Sequence, residues 1–288
     1  MSNKDLLDNI KKLRELTGVG FKDCKIAIDE TDGDIEKSVE FLRKKGIAKA
    51  SKKMSRTASE GLVLAYEKNN QISLIEINSE TDFVAKNEDF ISFCKEISII
   101  CFDQKGDIEK INKSKMKDGK IVGDNLITLI SKIGEKITIR RAKFFDNKEG
   151  TNFCYVHAAV EKNIGKIISI IKLGNIIKDK NDEIGNKLAM HVTASNPLAV
   201  NKDQIDKKII DKELEIIKAE LVNSGKKEEM IDKISKGKVN KFISDNTLLN
   251  QAWIIDPKKT VSDILKDHKV DKEISIIDFI RFKVGEGV

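Results

Sequence analysis

The fold turns on Ile72-Ser73-Leu74-Ile75-Glu76-Ile77 and, just after it, Glu80-Thr81-Asp82-Phe83-Val84-Ala85-Lys86-Asn87. The isoleucine-rich part reads as a strand, and a helix-like run begins near Asn87. Between them stand an acid and a bare aromatic, in a chain only 5% aromatic. Large apolar side chains normally go to cores, so Phe83 among Thr, Asp, Lys and Asn calls for a reason. In the plain reading Thr81 or Asp82 caps a helix and Phe83 tucks inward as a staple. In the other reading Phe83 is held outward as a contact residue.

Working outward, Leu62, Leu64 and Tyr66 alternate before a Lys68-Asn69-Asn70 turn, which makes a hairpin with Ile72 to Ile77. On the other side, Phe90, Phe93, Cys94, Ile97, Ile100 and Cys101 recur at helical spacing and predict an amphipathic helix. Gly106 to Gly119 is polar and is expected to be irregular. Asn125 to Ile133 predicts a short helix stopped by Gly134, and a strand follows from Ile137 to Phe145.

The pattern then repeats. Phe153 to Ala159 and Lys166 to Leu173 predict a second hairpin, Asp182 to Ser195 a helix, and Ile274 to Val284 a closing strand. Arg141-Ala142-Lys143-Phe144 is echoed by Ile280-Arg281-Phe282-Lys283. The fold class is therefore α+β: two related subdomains with antiparallel sheets, residues 61–150 and 151–288, of similar plan. The second carries an insertion at about 203–244, where Ile210, Leu214, Ile217 and Leu221 hold a 4-3-4 spacing before Asn223-Ser224-Gly225 turns into a second Lys-rich helix. This antiparallel helical hairpin either packs on the body or serves as a contact limb.

Residues 1–50 predict a three-helix module with a thin core. Leu6, Leu7, Ile10 and Leu13 lie on the first helix, Gly18 and Gly20 break it, and Asp34 opens the third. So small a unit suits partner binding, and its glycine-flanked Val19 and Phe21 resemble the loop of ubiquitin-associated-type domains; alternatively Phe21 closes the small core. A Lys- and Ser-rich linker at 51–60, beginning to lose apolar periodicity from Ala48, leads to the strands.

Composition narrows the function. The net charge of +6 is the balance of 53 basic and 47 acidic residues spread along the chain. No basic arm or interleaved aromatics mark a nucleic-acid site, and Arg43-Lys44-Lys45 to Arg56 reads equally as a solvated linker. The sequence has neither a bilayer-length apolar run nor a signal-peptide core, so a cytoplasmic protein without membrane contact is expected. Cys24, Cys94, Cys101 and Cys154 form no CxxC pair, and His157, His191 and His268 lack metal-ligand spacing. With no phosphate-loop or nucleophile-elbow motif either, neither an enzyme nor a cofactor or bound metal is expected.

Several segments, in order, resemble the elongation factor Ts family, guanine-nucleotide exchange factors of elongation factor Tu. They are Leu13-Arg14-Glu15-Leu16-Thr17-Gly18-Val19-Gly20-Phe21-Lys22-Asp23-Cys24-Lys25, Arg56-Thr57-Ala58-Ser59-Glu60-Gly61, Glu80 to Asn87, Ile133-Gly134-Glu135, Arg140-Arg141, Met190 to Pro197, and Phe282-Lys283-Val284-Gly285-Glu286-Gly287. The resemblance spans essentially the whole chain. It implies a factor that binds elongation factor Tu with GDP or nucleotide-free, as a monomer in a one-to-one complex. It disturbs the partner's Mg²⁺ and phosphate site and so releases GDP. Thr81, Asp82, Phe83 and Val84 would carry that dislocation, Phe83 as a wedge. Arg14, Phe21, Lys25, Ile133, Gly134, His157, Ile254 and Ile255 would be further partner contacts, with Trp253 as core or contact. Two departures bear on this. Ala158-Ala159-Val160 stand after His157 where the family has glycines, and the chain stops at Val288, where some members carry a further helix whose contacts would then be missing. The rival readings are a basic RNA-binding or ribosome-associated protein, and an enzyme using Asp82 as base with His157 or His191.

Overall fold

A computed structural model describes residues 3–17, 19–177 and 181–288. Gly18, one of the two glycines expected to break the first helix, lies outside the described residues. The chain opens with α1 (Asn3–Thr17), α2 (Phe21–Glu30) and α3 (Ile35–Lys53). Asp34 caps α3 by accepting the Lys37 amide at 3.0 Å. Ile10, Leu13, Cys24, Ala27, Ile28 and Leu42 form a small core between the three helices, with Val19 packed against it. Phe21 does not close that core; it is 47% exposed.

The linker expected from Ala48 onward is helical as far as Lys53. Nothing from Ala48 to Lys53 breaks a helix, and Ala50 joins the core of the following unit. Gly46 lets α3 approach closely, since an added Cβ would stand 2.9 Å from the Ser131 hydroxyl. One helix thus belongs to two cores and couples the N-terminal helices to the body.

The body begins with β1 (Glu60–Lys68) and β2 (Gln71–Ser79), followed by α4 (Asp82–Ala85) and α5 (Glu88–Asp103). Next come α6 (Ile108–Lys113), α7 (Val122–Ile133) and β3 (Ile137–Phe145). The segment expected to be irregular therefore contains α6, capped by Asp107 and pinned by the buried Ile111. Its six residues are too few to show a periodic pattern. The second half runs β4 (Thr151–Glu161), β5 (Ile164–Gly174), α8 (Asp182–Ser195), α9 (Lys207–Asn223), α10 (Glu228–Asn246), α11 (Val261–Asp267) and β6 (Ser275–Lys283). The sequence reading passed over α11, although Thr260 and Asp263 form a complete capping box at its start.

All strand pairings are antiparallel, which makes the chain a mixed α+β protein. In each half the closing strand pairs with the second strand of the hairpin, β3 on β2 and β6 on β5. The expected pair of separate sheets is, however, one six-stranded sheet, joined where β1 meets β5 at Val63↔Gly165 and Leu64↔Ile164. The strands bury both faces. Leu62, Leu64, Ile75 and Ile77 pack with Phe90, Cys94 and Ile97 of α5. The alternate residues Val63, Ala65, Ile72 and Leu74 meet Ile168, Ile170 and Phe282 from the other half. Ile171 and Leu173 turn to α8 and Trp253. The helices α9 and α10 pack on one another through Ile217, Leu221 and Val239.

Between the halves lies Glu76, fully buried. Its carboxylate accepts from Asn78 Nδ2 at 3.0 Å, Arg140 at 3.0 Å, Arg141 Nε at 2.5 Å and the Gly285 amide at 2.9 Å. The register of β3 slips between Glu76 and Ile77, so that two consecutive arginines reach one carboxylate. Gly285 sits at φ +73°, where an added Cβ would stand 2.1 Å from the Ser59 carbonyl oxygen. Gly285→Ala is therefore expected to lower stability by at least about 1–2 kcal/mol from the left-handed backbone alone, read as a shift in urea midpoint.

Candidate functional site

The Thr81 segment leaves β2 and enters α4 with extended backbone at Thr81, φ −124° and ψ 158°. Thr81 occupies the N-cap position, yet its side chain makes no cap hydrogen bond. Its hydroxyl donates instead to Glu135 Oε1 at 2.7 Å, and its amide to Glu135 Oε2 at 2.9 Å. The side chain is turned to give its proton to a carboxylate, which leaves its oxygen unbonded to the α4 amides, and a tertiary brace stands where the side-chain cap was expected. The brace is reciprocal: Glu80 Oε1 accepts the Lys136 amide at 2.6 Å. Arg56 lies 3.3 Å from both Glu80 oxygens, and Lys136 Nζ donates to the carbonyls of Met54 and Arg56. Partial burial pushes the Glu80 carboxyl up, but the Lys136 amide and the Arg56 charge outweigh it and hold it below its ordinary value.

Beyond this brace the segment leaves Phe83 pointing outward. Val84 and Ala85 are buried in the core, while Phe83 is 78% exposed. Val84 does the stapling that the plain reading gave to Phe83, and the ring stands in solvent. Asp82 pairs with Lys86 at 2.8 Å, one helical turn on. That hydrogen bond is the main reason its carboxyl lies below its ordinary value, with the Lys166 charge adding to it. The Lys86 ammonium also stands 5.9 Å from the centre of the Phe83 ring.

The other candidate residues fall into groups. Ile133 ends α7, half-buried against the core, and Gly134 caps it at φ +88°, directly before the braces Glu135 and Lys136. These two share a wall with the Thr81 segment. Arg14 is exposed on α1 and lines a shallow hollow with Lys132, the neighbour of Ile133. Phe21 and Lys25 are both exposed, one turn apart on α2. His157 is exposed on β4 and pairs with Ile167, whose neighbour Lys166 is the one that acts on Asp82. Ile254 is half-buried and Ile255 is 51% exposed. Trp253 is core, 3% exposed, with His191 stacked on it at 5.1 Å.

The residues that hold this arrangement were not picked out from the sequence as site residues. Glu76 carried a usable signal, an acid inside an isoleucine-rich strand, which calls for buried partners. Glu80 and Glu135 stood inside segments that carry the family resemblance, but their residue types gave no sign of a structural role, because an acid beside a helix end ordinarily faces water. His191, one of two histidines considered as partner to Asp82, is fully buried and hydrogen-bonded to Gln251 at 3.1 Å. Burial lowers its pKa, which keeps the imidazole neutral. Among the described residues, no group of three or more His, Cys, Asp or Glu could hold a metal, and no helix is long and apolar enough to cross a membrane.

A bare aromatic on a four-residue helix, braced from behind by two carboxylates and set in an α+β body, is the build of a protein-docking surface. The profile of the family described as Elongation factor TS matches residues 80–286, beginning at the brace residue Glu80. The elongation factor Ts of Maricaulis maris (strain MCS10) is 40% identical over 285 residues, 97% of this chain and 91% of its own length. Those of Bartonella quintana (strain Toulouse), 39% over 285 residues, and Rickettsia felis (strain ATCC VR-1525 / URRWXCal2), 38% over 283, also cover 97% of this chain and 92% and 91% of their own lengths. The chain belongs to the elongation factor Ts family.

Proposed function

We propose that the protein is a guanine-nucleotide exchange factor for elongation factor Tu, a non-enzymatic cytoplasmic binding protein that acts as a monomer in a one-to-one complex. The observation that carries this reading is the outward, braced Phe83 inside the family-matched segment. Such a factor works by binding the partner's nucleotide-free state more tightly than its GDP-bound state. Phe83 enters between apolar elements of the partner, and Asp82 brings a carboxylate toward the partner's Mg²⁺ and phosphate environment. Neither needs covalent chemistry. Speeding release about a thousandfold requires roughly 4 kcal/mol of differential binding, within reach of one aromatic hot spot and a few helpers. The coupling is reciprocal, so bound GDP must weaken the factor's grip by the same ratio.

In this reading residues 1–50 are a ubiquitin-associated-like partner-binding module, presenting Arg14, Phe21 and Lys25. Residues 51–60, the first three of which complete α3, are a linker, and 61–150 and 151–288 are related subdomains joined in one sheet. The hairpin at about 203–244 stands on the second, and Ile133, Gly134, His157, Ile254 and Ile255 are further contacts to the partner. The RNA-binding alternative gains little from the basic cluster, whose Arg43, Lys44 and Lys45 stand beside Asp124, Glu40 and Asp23 at 3.0, 2.8 and 3.2 Å.

Calorimetric titration of elongation factor Tu, loaded with GDP or stripped of nucleotide, tests the proposal. The expected result is one-to-one binding, tighter to the stripped form by about three decades. Equal affinity for the two forms would overturn it, since a ligand indifferent to two states shifts neither.

A further inference from the structure

We infer that Glu80 and Glu135 are positioning residues whose reciprocal carboxylate clasp sets the angle at which Phe83 leaves the body. The inference rests on the exchange-factor reading for its consequence, and on geometry for its mechanism. With only four residues, α4 cannot hold its own direction through helical hydrogen bonds. Its orientation has to be imposed from outside. Val84 and Ala85 anchor it from below, and Ser79 Oγ donates to the Thr81 carbonyl at 3.0 Å, which still leaves the Thr81 amide and hydroxyl free at the helix entrance.

The clasp closes that freedom. Glu135 takes both the amide and the hydroxyl of Thr81, the residue immediately before α4. Glu80 takes the amide of Lys136 in return. Each carboxylate thus fixes the backbone next to the other, which holds the two segments at two points instead of one. Lys136 Nζ then ties the pair to Met54 and Arg56 at the end of α3. Three chain segments far apart in sequence converge behind one exposed ring. Neither carboxylate reaches outward as Phe83 does; both are only partly exposed and are engaged by backbone amides.

The test uses the full chain with Glu135→Ala, Glu135→Gln, Phe83→Ala and the Phe83→Ala/Glu135→Ala double variant. Glu135→Ala is expected to slow catalysed GDP release about tenfold, the loss that follows from removing a charge-assisted hydrogen bond. Glu135→Gln, which keeps an acceptor for Thr81, is expected to recover part of it. The double variant should be no slower than Phe83→Ala, because the clasp acts through that ring. Losses that multiply in the double variant would overturn the inference.

A second readout needs no partner. Amide hydrogen exchange from Thr81 to Lys86 should quicken by about tenfold or more in Glu135→Ala, and by less in Glu135→Gln. Unchanged protection in both would refute the clasp even if the protein is an exchange factor. Absent exchange activity in the unmodified protein would instead refute that reading and leave the amide result standing. Should Glu135→Ala fail to fold, Thr81→Val removes the hydroxyl bond alone and is read the same way.

Discussion

Phe83→Ala is expected to abolish most of the acceleration of GDP release while leaving the fold intact. The ring is 78% exposed, so its removal takes almost nothing from the core. Stability should stay within the small range of a surface substitution, about ±0.5 kcal/mol, so the melting temperature should barely move. A buried aromatic at the centre of an interface, by contrast, contributes about 2–4 kcal/mol, roughly 30- to 700-fold in rate at 1.4 kcal/mol per decade. The separation of these two effects is the point of the variant. Stopped-flow release of a fluorescent GDP beside a thermal melt reads both; full activity with Phe83→Ala would remove the ring from the mechanism.

Glu76→Ala should do the reverse and strike stability first. Glu76 has no exposed surface and is shared by two arginines and the Gly285 amide. Removing one partner of a buried ionic group leaves the others uncompensated, a loss of about 3–5 kcal/mol. At about 2.1 cal/mol/K per residue, a chain of 288 residues then loses roughly 5 to 8 °C in melting temperature. Glu76→Gln keeps the shape but not the charge, and should fall between.

The same group gives the fold an acid limb. Burial raises the Glu76 pKa, but the bonds from Gly285, Asn78 and Arg141 outweigh it and hold the folded value below the ordinary 4.5. A depressed folded pKa adds stability above the unfolded value, and that stability is lost as pH falls through the folded one. Equilibrium unfolding from pH 6 downward should therefore show a steeper decline in the unmodified protein than in Glu76→Gln. Parallel declines would show that the buried carboxylate is not what titrates.

How much of this was legible in the sequence follows from which forces are local. The hairpins, α5 and α8 are set by alternation and by helical spacing, and their residues show it. The junction at Thr81-Asp82-Phe83 was legible as a strand-to-helix change. The direction of Phe83 was not, because Phe83 and Val84 are adjacent apolar residues either of which could face the core, and the contacts around the junction include Glu135, more than fifty residues away. Similarly, the joining of the two halves into one sheet rests on two residue pairs between β1 and β5, which no periodicity announces. Helix α6 escaped because it has one buried anchor, and Glu76 because its partners come from β3 and from the C-terminal tail. Long-range ion pairs and short capped turns leave little trace in local composition.

The proposed role of the protein is to speed nucleotide release from elongation factor Tu through an outward, braced Phe83. It is tested most directly by loading elongation factor Tu with a fluorescent GDP, adding the protein in substoichiometric amounts with excess unlabelled GDP, and following the fluorescence. Release of the whole labelled pool is expected to outpace the unassisted rate, with each molecule of factor turning over many molecules of partner, and the acceleration to approach on the order of a thousandfold, as the binding difference implies, when factor is raised to saturation. Release at the unassisted rate would contradict that role.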